Sequence, residues 1–455
     1  MQYFRPGGIY FVGDAMPFFH DGVFHLFYLL DEEHHKAKNG LGGHQWAHAT
    51  TTDLVHWTHH PLALTISEPN EGSICTGSVF FHASQYYAWY ATRNLDRTQH
   101  LSLALSEDGI NFRKTEPNPV AAPGSGYSPY HFRDPFLFQD PVTDLFHLLI
   151  TAELVDYPLT KRGGCLAHLV SPDLQEWRRE EPFLIPGFNK EPECPDHFFW
   201  NGWYYLLFGN GLVTHYRMAR QPLGPWLRPA IDRLDSNLAC VMKTAAFTGN
   251  RRIGVAWIGT REQDKDDGRL QWGGQLVFRE IVQCADGTLG ACFPPELLPA
   301  ADTPLARSIA ALLGNSAIAE NAISLNAPEG LAVGMLPEIP QNIRITLQVT
   351  PTEKAAQFGL CLRGHGKFEG GYELSFYPAE RVVKLHNEVI YGVDGLDQPF
   401  TLEIILYGDI IDVNIDKRRC LINRCPEQHG DRLFLFAHYA QVEFSSLQVF
   451  PLANI

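Results

Sequence analysis

No uninterrupted apolar run in this 455-residue chain is long enough to span a bilayer as a helix, so no membrane partner is expected. Positive charge is also scarce: 36 Lys and Arg face 51 Asp and Glu, a formal net charge of −15. Such a surface repels phosphate backbones, which excludes nucleic acid as an expected partner. Close cysteine pairs are missing too. The nine cysteines are odd in number and form no CxxC motif, which argues against a disulfide framework or a zinc ribbon and fits a reducing compartment. The first residues show no basic stretch, apolar core and small-residue cleavage site, so no secretory signal is read there and a cytoplasmic location is expected.

What is present is a globular composition, 45% hydrophobic and 19% charged, in a length that suggests two or three domains. Aromatics reach 12%, which suits β-strands and also suits stacking on sugar rings. Five segments share one plan: a small or acidic residue, an apolar strand, a short turn and a second apolar strand. They begin at Gly13, Thr76, Arg133, Glu193 and Lys243, about 50 to 63 residues apart, the period of four-stranded propeller blades. A second element recurs between them: Asp53-Leu54 before Trp57, Asp108-Gly109 before Phe112, and Asp173-Leu174 before Trp177. Each reads as a turn followed by an aromatic at an outer hairpin.

The expected fold is therefore all-β: a five-bladed β-propeller over residues 1–298, followed by a C-terminal β-sandwich. Residues 299–325, rich in Ala and Leu, are read as a linker with a possible short helix. From 326 to 455, alternating strands with turn signals such as His365-Gly366 and Gly408-Asp409 predict the sandwich.

In a propeller the first strand of each blade lines the axis, so residues at equal phase of different repeats converge. Asp14, Asp134 and Glu193 are read at that phase in blades one, three and four. Converging carboxylates repel one another and burial raises at least one pKa. That arrangement supplies an ionised nucleophile and a protonated acid, the pair that glycoside hydrolysis needs. A single such Asp could equally cap a turn; three in phase point to a site. The polar, Gly-rich segment 31–45 is placed at the funnel mouth, where His34, His35 and His44 either contact a ligand or form a solvated loop. Their spacing matches no helical or zinc-type motif, so no metal and no cofactor are expected. Trp46, Trp257 and Trp272 are candidates for a stacking platform.

Several motifs resemble glycoside hydrolase family 32, the invertase, inulinase and levanase group. His131-Phe132-Arg133-Asp134-Pro135 is similar to its Arg-Asp-Pro motif, Glu193-Cys194-Pro195 to its Glu-Cys-Pro motif, and Trp46-Ala47-His48-Ala49-Thr50 to a further block. The resemblance implies Asp14 as nucleophile, Glu193 as acid and then base, Asp134 as a stabiliser holding sugar hydroxyls, and Arg133 as the residue orienting the carboxylates. Cys194 is read as a packing neighbour of Glu193; Thr76 and Gly77, with His44, Trp46 and Trp257, complete the expected carbohydrate-binding set. Departures from the usual pattern concentrate in the first motif, where Gly13-Asp14-Ala15-Met16 replaces Trp-Met-Asn-Asp-Pro-Asn-Gly, and at Leu29, where the family usually has Gln. They bear on the substrate more than on the reaction. The function implied is hydrolysis of β-fructofuranosides by retaining double displacement. The alternatives are an inverting pentosidase on the same scaffold, transfer to another sugar, or a carbohydrate-binding propeller without catalysis. Oligomeric state is not legible.

Overall fold

A computed structural model describes residues 3–299, 303–352 and 354–452. Strands that follow one another across a tight turn pair antiparallel, and the apolar runs of the sequence do so in five successive blades, the last joined to the first through Gly274 and Val12. Blade one holds Tyr10–His20, Val23–Glu32, Gln45–Thr51 and Thr58–Leu64. Blade two holds Glu71–His82, Gln85–Asn94, Gln99–Ser106 and the short Arg113–Lys114. Blade three holds Tyr127–Gln139, Phe146–Leu154, Gly164–Ser171 and Arg178–Leu184. Blade four has Glu193–Trp200, Trp203–Asn210 and Val213–Ala219, with isolated bridges to Leu227 and Arg233 at its outer edge.

Blade five begins with Cys240–Phe247, Arg251–Arg261 and Leu270–Gln283. Its outer edge is built from two distant pieces, Leu289–Cys292 and the N-terminal Tyr3–Phe4, both pairing with Leu270–Gln283. The first residues thus close the ring onto its last blade. The outer-hairpin repeat is equally regular. Asp53, Asp108 and Asp173 each accept two backbone N–H groups two and three residues on, beside a hydroxyl from Thr51, Ser106 or Ser171. These are the same Asx-type turn made three times.

After residue 303 the chain forms the sandwich. Its longest strand, Arg432–Pro451, pairs with Ala322–Leu336, Ile343–Pro351 and Gln357–His365. Ile345, Leu360, Phe376, Ile404 and Leu435 lie in its core. The short helix expected in 299–325 is not there among the described residues. Ala310–Leu313 and Asn315–Ala319 are strands that pair with Ala322–Leu336. Ala and Leu favour a helix intrinsically, but Gly314, with φ +74, breaks the run, and an available sheet edge outweighs the propensity. Residues 300–302 lie outside the described residues.

The two domains are joined through buried ions. Arg279, on the third strand of blade five, is fully buried; its Nε donates to Asp235 Oδ2 at 2.6 Å and its Nη groups to Asp412 of the sandwich at 2.9 Å. Arg424 of the sandwich donates to the Gly259 carbonyl of blade five at 2.6 Å. Removing the cation from such a group leaves buried carboxylate charge behind. Arg279→Met should therefore lower stability by about 3–5 kcal/mol, read from the denaturant midpoint. A change under about 1 kcal/mol would show that this ion group does not hold the interface.

Candidate active site

The funnel is shaped by one backbone irregularity made five times. The inner strand of each blade carries one extra residue relative to its partner: Val12 to Ala15, Ile74 to Gly77, Arg133 to Phe136, Glu193 to Asp196 and Cys240 to Lys243. In a regular strand successive side chains alternate faces, and a bulge breaks that alternation. At its middle position three blades put a non-glycine residue in the left-handed region, Asp134 (φ 51), Cys194 (φ 52) and Val241 (φ 40). The sequence-based phase needs correcting here. Glu193 stands at the first bulge position, Asp134 at the second and Asp14 at the third, so the three acids are neighbours by rotation of the bulge and not by identical phase.

All three line one pocket, with Thr76, Arg133, Cys194, His35, His44, Arg93 and Trp272 in its wall. Asp14 is held from several sides. Thr76 Oγ1 donates to its Oδ2 at 2.5 Å, Trp257 Nε1 to its Oδ1 at 2.9 Å, and Cys194 Sγ lies 3.4 Å from Oδ2. Its carboxyl is pushed up from 3.8 to about 6, first by burial and then by the charge of Asp134, with Glu193 adding to both against the pull of the Thr76 and Trp257 hydrogen bonds. Asp134 Oδ2 accepts from Thr151 Oγ1 and from the Cys194 backbone N–H, both at 3.1 Å. Arg133 Nη2 donates to Glu193 Oε1 at 2.8 Å and to Glu191 Oε2 at 3.3 Å, and Arg133 Nε is 3.7 Å from Asp134. Burial works against the Arg133 charge, but Glu193, Asp134 and Glu191 outweigh it and hold the guanidinium firmly protonated. Beneath the acids, buried Lys243 donates to the carbonyls of Gly77 and Pro195 at 3.0 Å each, tying blade two to blade four.

The segment after the second strand of blade one forms the opposite wall. Glu33, His34 and His35 all have φ between 55 and 64, a local strain that aims the loop inward. Arg93 Nη1 donates to His35 Nε2 at 2.9 Å, which places the His35 hydrogen on Nδ1, 2.9 Å from His44 Nε2. Asp31 Oδ1 is 3.2 Å from the same His44 nitrogen. Burial first, and Arg93 as well, hold His35 and His44 down at about 3, so both imidazoles are neutral. Burial pushes Asp31 up to about 6. Asp31, His35 and His44 are close enough to hold a metal ion, as are His131, Glu153 and Glu191. In the first group, however, Arg93 leaves His35 Nδ1 occupied by hydrogen, and in the second Arg133 takes the Glu191 carboxylate. The second group is thus tied to a cation of the protein itself, whereas in the first Asp31 Oδ2 is buried without a hydrogen-bond partner among the described residues.

Of the expected ligand-binding residues, Arg133, Thr76, Cys194 and His44 line the pocket. Three are placed elsewhere. Trp46 is fully buried and spends its Nε1 on the Cys75 carbonyl at 2.9 Å, so its face cannot meet a sugar. Gly77 serves through its carbonyl to Lys243, and a Cβ there would lie 1.8 Å from the Trp89 carbonyl oxygen. Trp257 is buried and acts as a hydrogen-bond donor to Asp14 instead of a platform. His34 leaves the pocket and packs on Phe11. Trp272 does line it, stacked on His44 at 4.5 Å between centroids. Its ring also explains the unusual first motif: a Cβ on Gly13 would fall 2.0 Å from Trp272 Cη2, so the tryptophan occupies the room a side chain would need. The sequence reading missed His35 as distinct from its neighbours, Arg93, Thr151, Lys243 and Glu191. Only Lys243, heading the fifth repeat, carried a signal.

The family model for the glycosyl hydrolases family 32 N-terminal domain matches residues 14–289. The chain belongs to glycosyl hydrolases family 32. Among curated relatives, this family-32 chain is 30% identical to sucrose-6-phosphate hydrolase of Bacillus subtilis over 188 residues, 39% of the chain and 36% of that protein. It is 29% identical to sucrose-6-phosphate hydrolase of Escherichia coli over 293 residues, 58% of each. The matches thus span well under two thirds of these relatives' own lengths. The solved structure of fructan 1-exohydrolase IIa from Cichorium intybus matches all of the chain and 97% of that protein, with TM-score 0.76 at 16% identity. That likeness establishes the propeller-plus-sandwich fold.

Ionised Asp14 burdens this fold. With its carboxyl raised from 3.8 to about 6, the stability lent by the protonated form is complete below the lower value. It is lost as pH rises through the upper one, about 3 kcal/mol in all. Asp14→Asn should melt above the unsubstituted protein at pH 7.5, with the gap closing by pH 4. Equal melting temperatures at pH 7.5 would contradict the assigned burial cost.

Proposed function

We propose that the protein hydrolyses β-fructofuranosides of the sucrose and fructan type by retaining double displacement. The observation that carries this reading is the convergence of Asp14, Asp134 and Glu193 on one pocket, with Asp14 oriented by Thr76 and Trp257. Family membership and the relatives named for sucrose 6-phosphate support it.

Asp14 attacks the anomeric carbon, and Glu193 gives its proton to the departing glycosidic oxygen. The resulting glycosyl ester is opened by water, whose proton Glu193 takes back, freeing Asp14. Asp134 spends Oδ2 on Thr151 and Cys194 and keeps its other oxygen for sugar hydroxyls. The neutral imidazoles of His35 and His44 line the wall without charge, and the Trp272 ring supplies an apolar face. Arg93 faces the pocket with no carboxylate partner among the described residues, so the substrate panel should pair sucrose with its 6-phosphate. The nine free cysteines support a reducing, cytoplasmic setting.

The attacking group must be ionised. Because Asp14 sits near 6, kcat/KM should fall about tenfold per pH unit below that value. Asp14→Ala should lower kcat/KM by at least about a thousandfold with an unchanged circular dichroism spectrum. The panel is sucrose, sucrose 6-phosphate, inulin, levan and an arabinofuranoside, with the first-formed anomer read by NMR. Release of the substrate's own anomer marks retention. The opposite anomer, or cleavage of the arabinofuranoside alone, would overturn the reading, as would full activity of Asp14→Ala.

A further inference from the structure

The site contains a conflict that the mechanism leaves unresolved. The reaction needs a proton on Glu193, yet Glu193 Oε1 lies 2.8 Å from the Arg133 guanidinium, and a cation at that distance favours the carboxylate. The same Nη2 atom of Arg133 also reaches a second acid, Glu191, at 3.3 Å. Glu191 is mostly buried and is held on its other side by His131, whose Nδ1 lies 3.3 Å from Glu191 Oε1 while Nε2 lies 3.8 Å from Glu153.

Because this inference deepens the hydrolase reading, it rests on that reading for its consequence in turnover. We propose that Glu191 is a positioning residue that competes with Glu193 for Arg133, with His131 holding it in place, so that Glu193 retains a proton to give. It touches neither Asp14 nor the sugar-facing side of Asp134 and acts only through the shared guanidinium.

The geometry supports sharing over simple packing in three ways. Both carboxylates meet one nitrogen of the guanidinium, so each gains what the other loses. Glu191 is ionised throughout: burial alone would raise its carboxyl, but the hydrogen bond from His131 and the charge of Arg133 bring it down to about 2. Pro192, between the two acids, has its carbonyl fixed by Thr151 at 3.0 Å, so neither acid can swing away through the backbone. The other charges around Glu193 come from every neighbouring inner strand: Asp14 of blade one, Arg133 and Asp134 of blade three, and Lys243 of blade five beneath. Blade two contributes the neutral Thr76, and from blade three Glu153 stands behind His131. Among the described acids, Glu191 and Asp134 draw on Arg133 besides Glu193, with Asp134 the farther at 3.7 Å, and His131 Nδ1 also lies 3.5 Å from Arg133 Nη1.

Glu191→Gln removes the competing charge and keeps the shape. Arg133 then pairs with Glu193 alone, and a nearby negative charge is lost; both changes make Glu193 release its proton at lower pH. The test is a 13C titration of labelled glutamate carboxyls in the full chain, with the Glu193 signal identified by its loss in Glu193→Gln. In Glu191→Gln its midpoint should move down by about half to one pH unit, a shift consistent with one charge lost at contact range. The high-pH limb of kcat/KM should move by the same amount, and Glu191→Asp should restore the original limb. An unmoved Glu193 midpoint in a folded Glu191→Gln protein overturns the proposal. If Glu191→Gln does not fold, Glu191→Asp and His131→Asn take its place, and the proposal falls if neither shifts the midpoint. A protein that shows the shift yet cleaves no furanoside would instead sink the hydrolase reading while leaving the Arg133 competition intact.

Discussion

The site depends on an inserted residue in each inner strand. Without the bulge, a strand entering the axis would send alternate side chains into the funnel and into the space between blades. With it, three consecutive positions reach the axis region, and different blades use different ones. Blade four presents Glu193 from the first position and Cys194 from the second, blade three presents Arg133 and Asp134, and blade one presents Asp14 from the third. The bulge also leaves backbone groups without ladder partners, and the site employs them: the Cys194 N–H goes to Asp134, and the Pro195 carbonyl goes to Lys243.

A second constraint follows from crowding. Three acids drawn together in a buried pocket need compensation, and the chain supplies it unevenly. Asp14 receives only neutral donors and keeps a high proton affinity, while Glu193 receives a full cation. Lys243, buried beneath, bonds the carbonyls of Gly77 and Pro195 instead of an acid, tying blades together.

The architecture was legible because repeats of apolar strands and Asx-type turns are local features that recur at one period. Asp53, Asp108 and Asp173 were found in sequence and make the same turn in space. The acids were legible as a set, but their relation was not: a one-residue bulge shifts the phase and leaves no mark in residue type. The tryptophans show the opposite failure. Trp46 and Trp257 carried the aromatic signal of a platform, yet tertiary packing buried them, and Trp272 faced the pocket because Gly13 leaves it room. Arg93 and Glu191 were invisible since their roles come only from chain segments meeting across blades. The misjudged stretch at 310–319 shows sheet pairing overriding helical composition.

The strand Tyr3–Phe4 pairs with Val277 and Leu276, and the Tyr3 hydroxyl bonds Asp412. A ribosome delivers the first of these groups long before the others. Blades one to four can form in order as they emerge, each from its own neighbouring strands, but the outer edge of blade five waits for its opening piece and its closing piece together. The Arg279 ion group waits longer, for Asp412. Closing the outer edge of blade five therefore takes chain from both ends of the propeller, and completing the Arg279 ion group takes the sandwich as well.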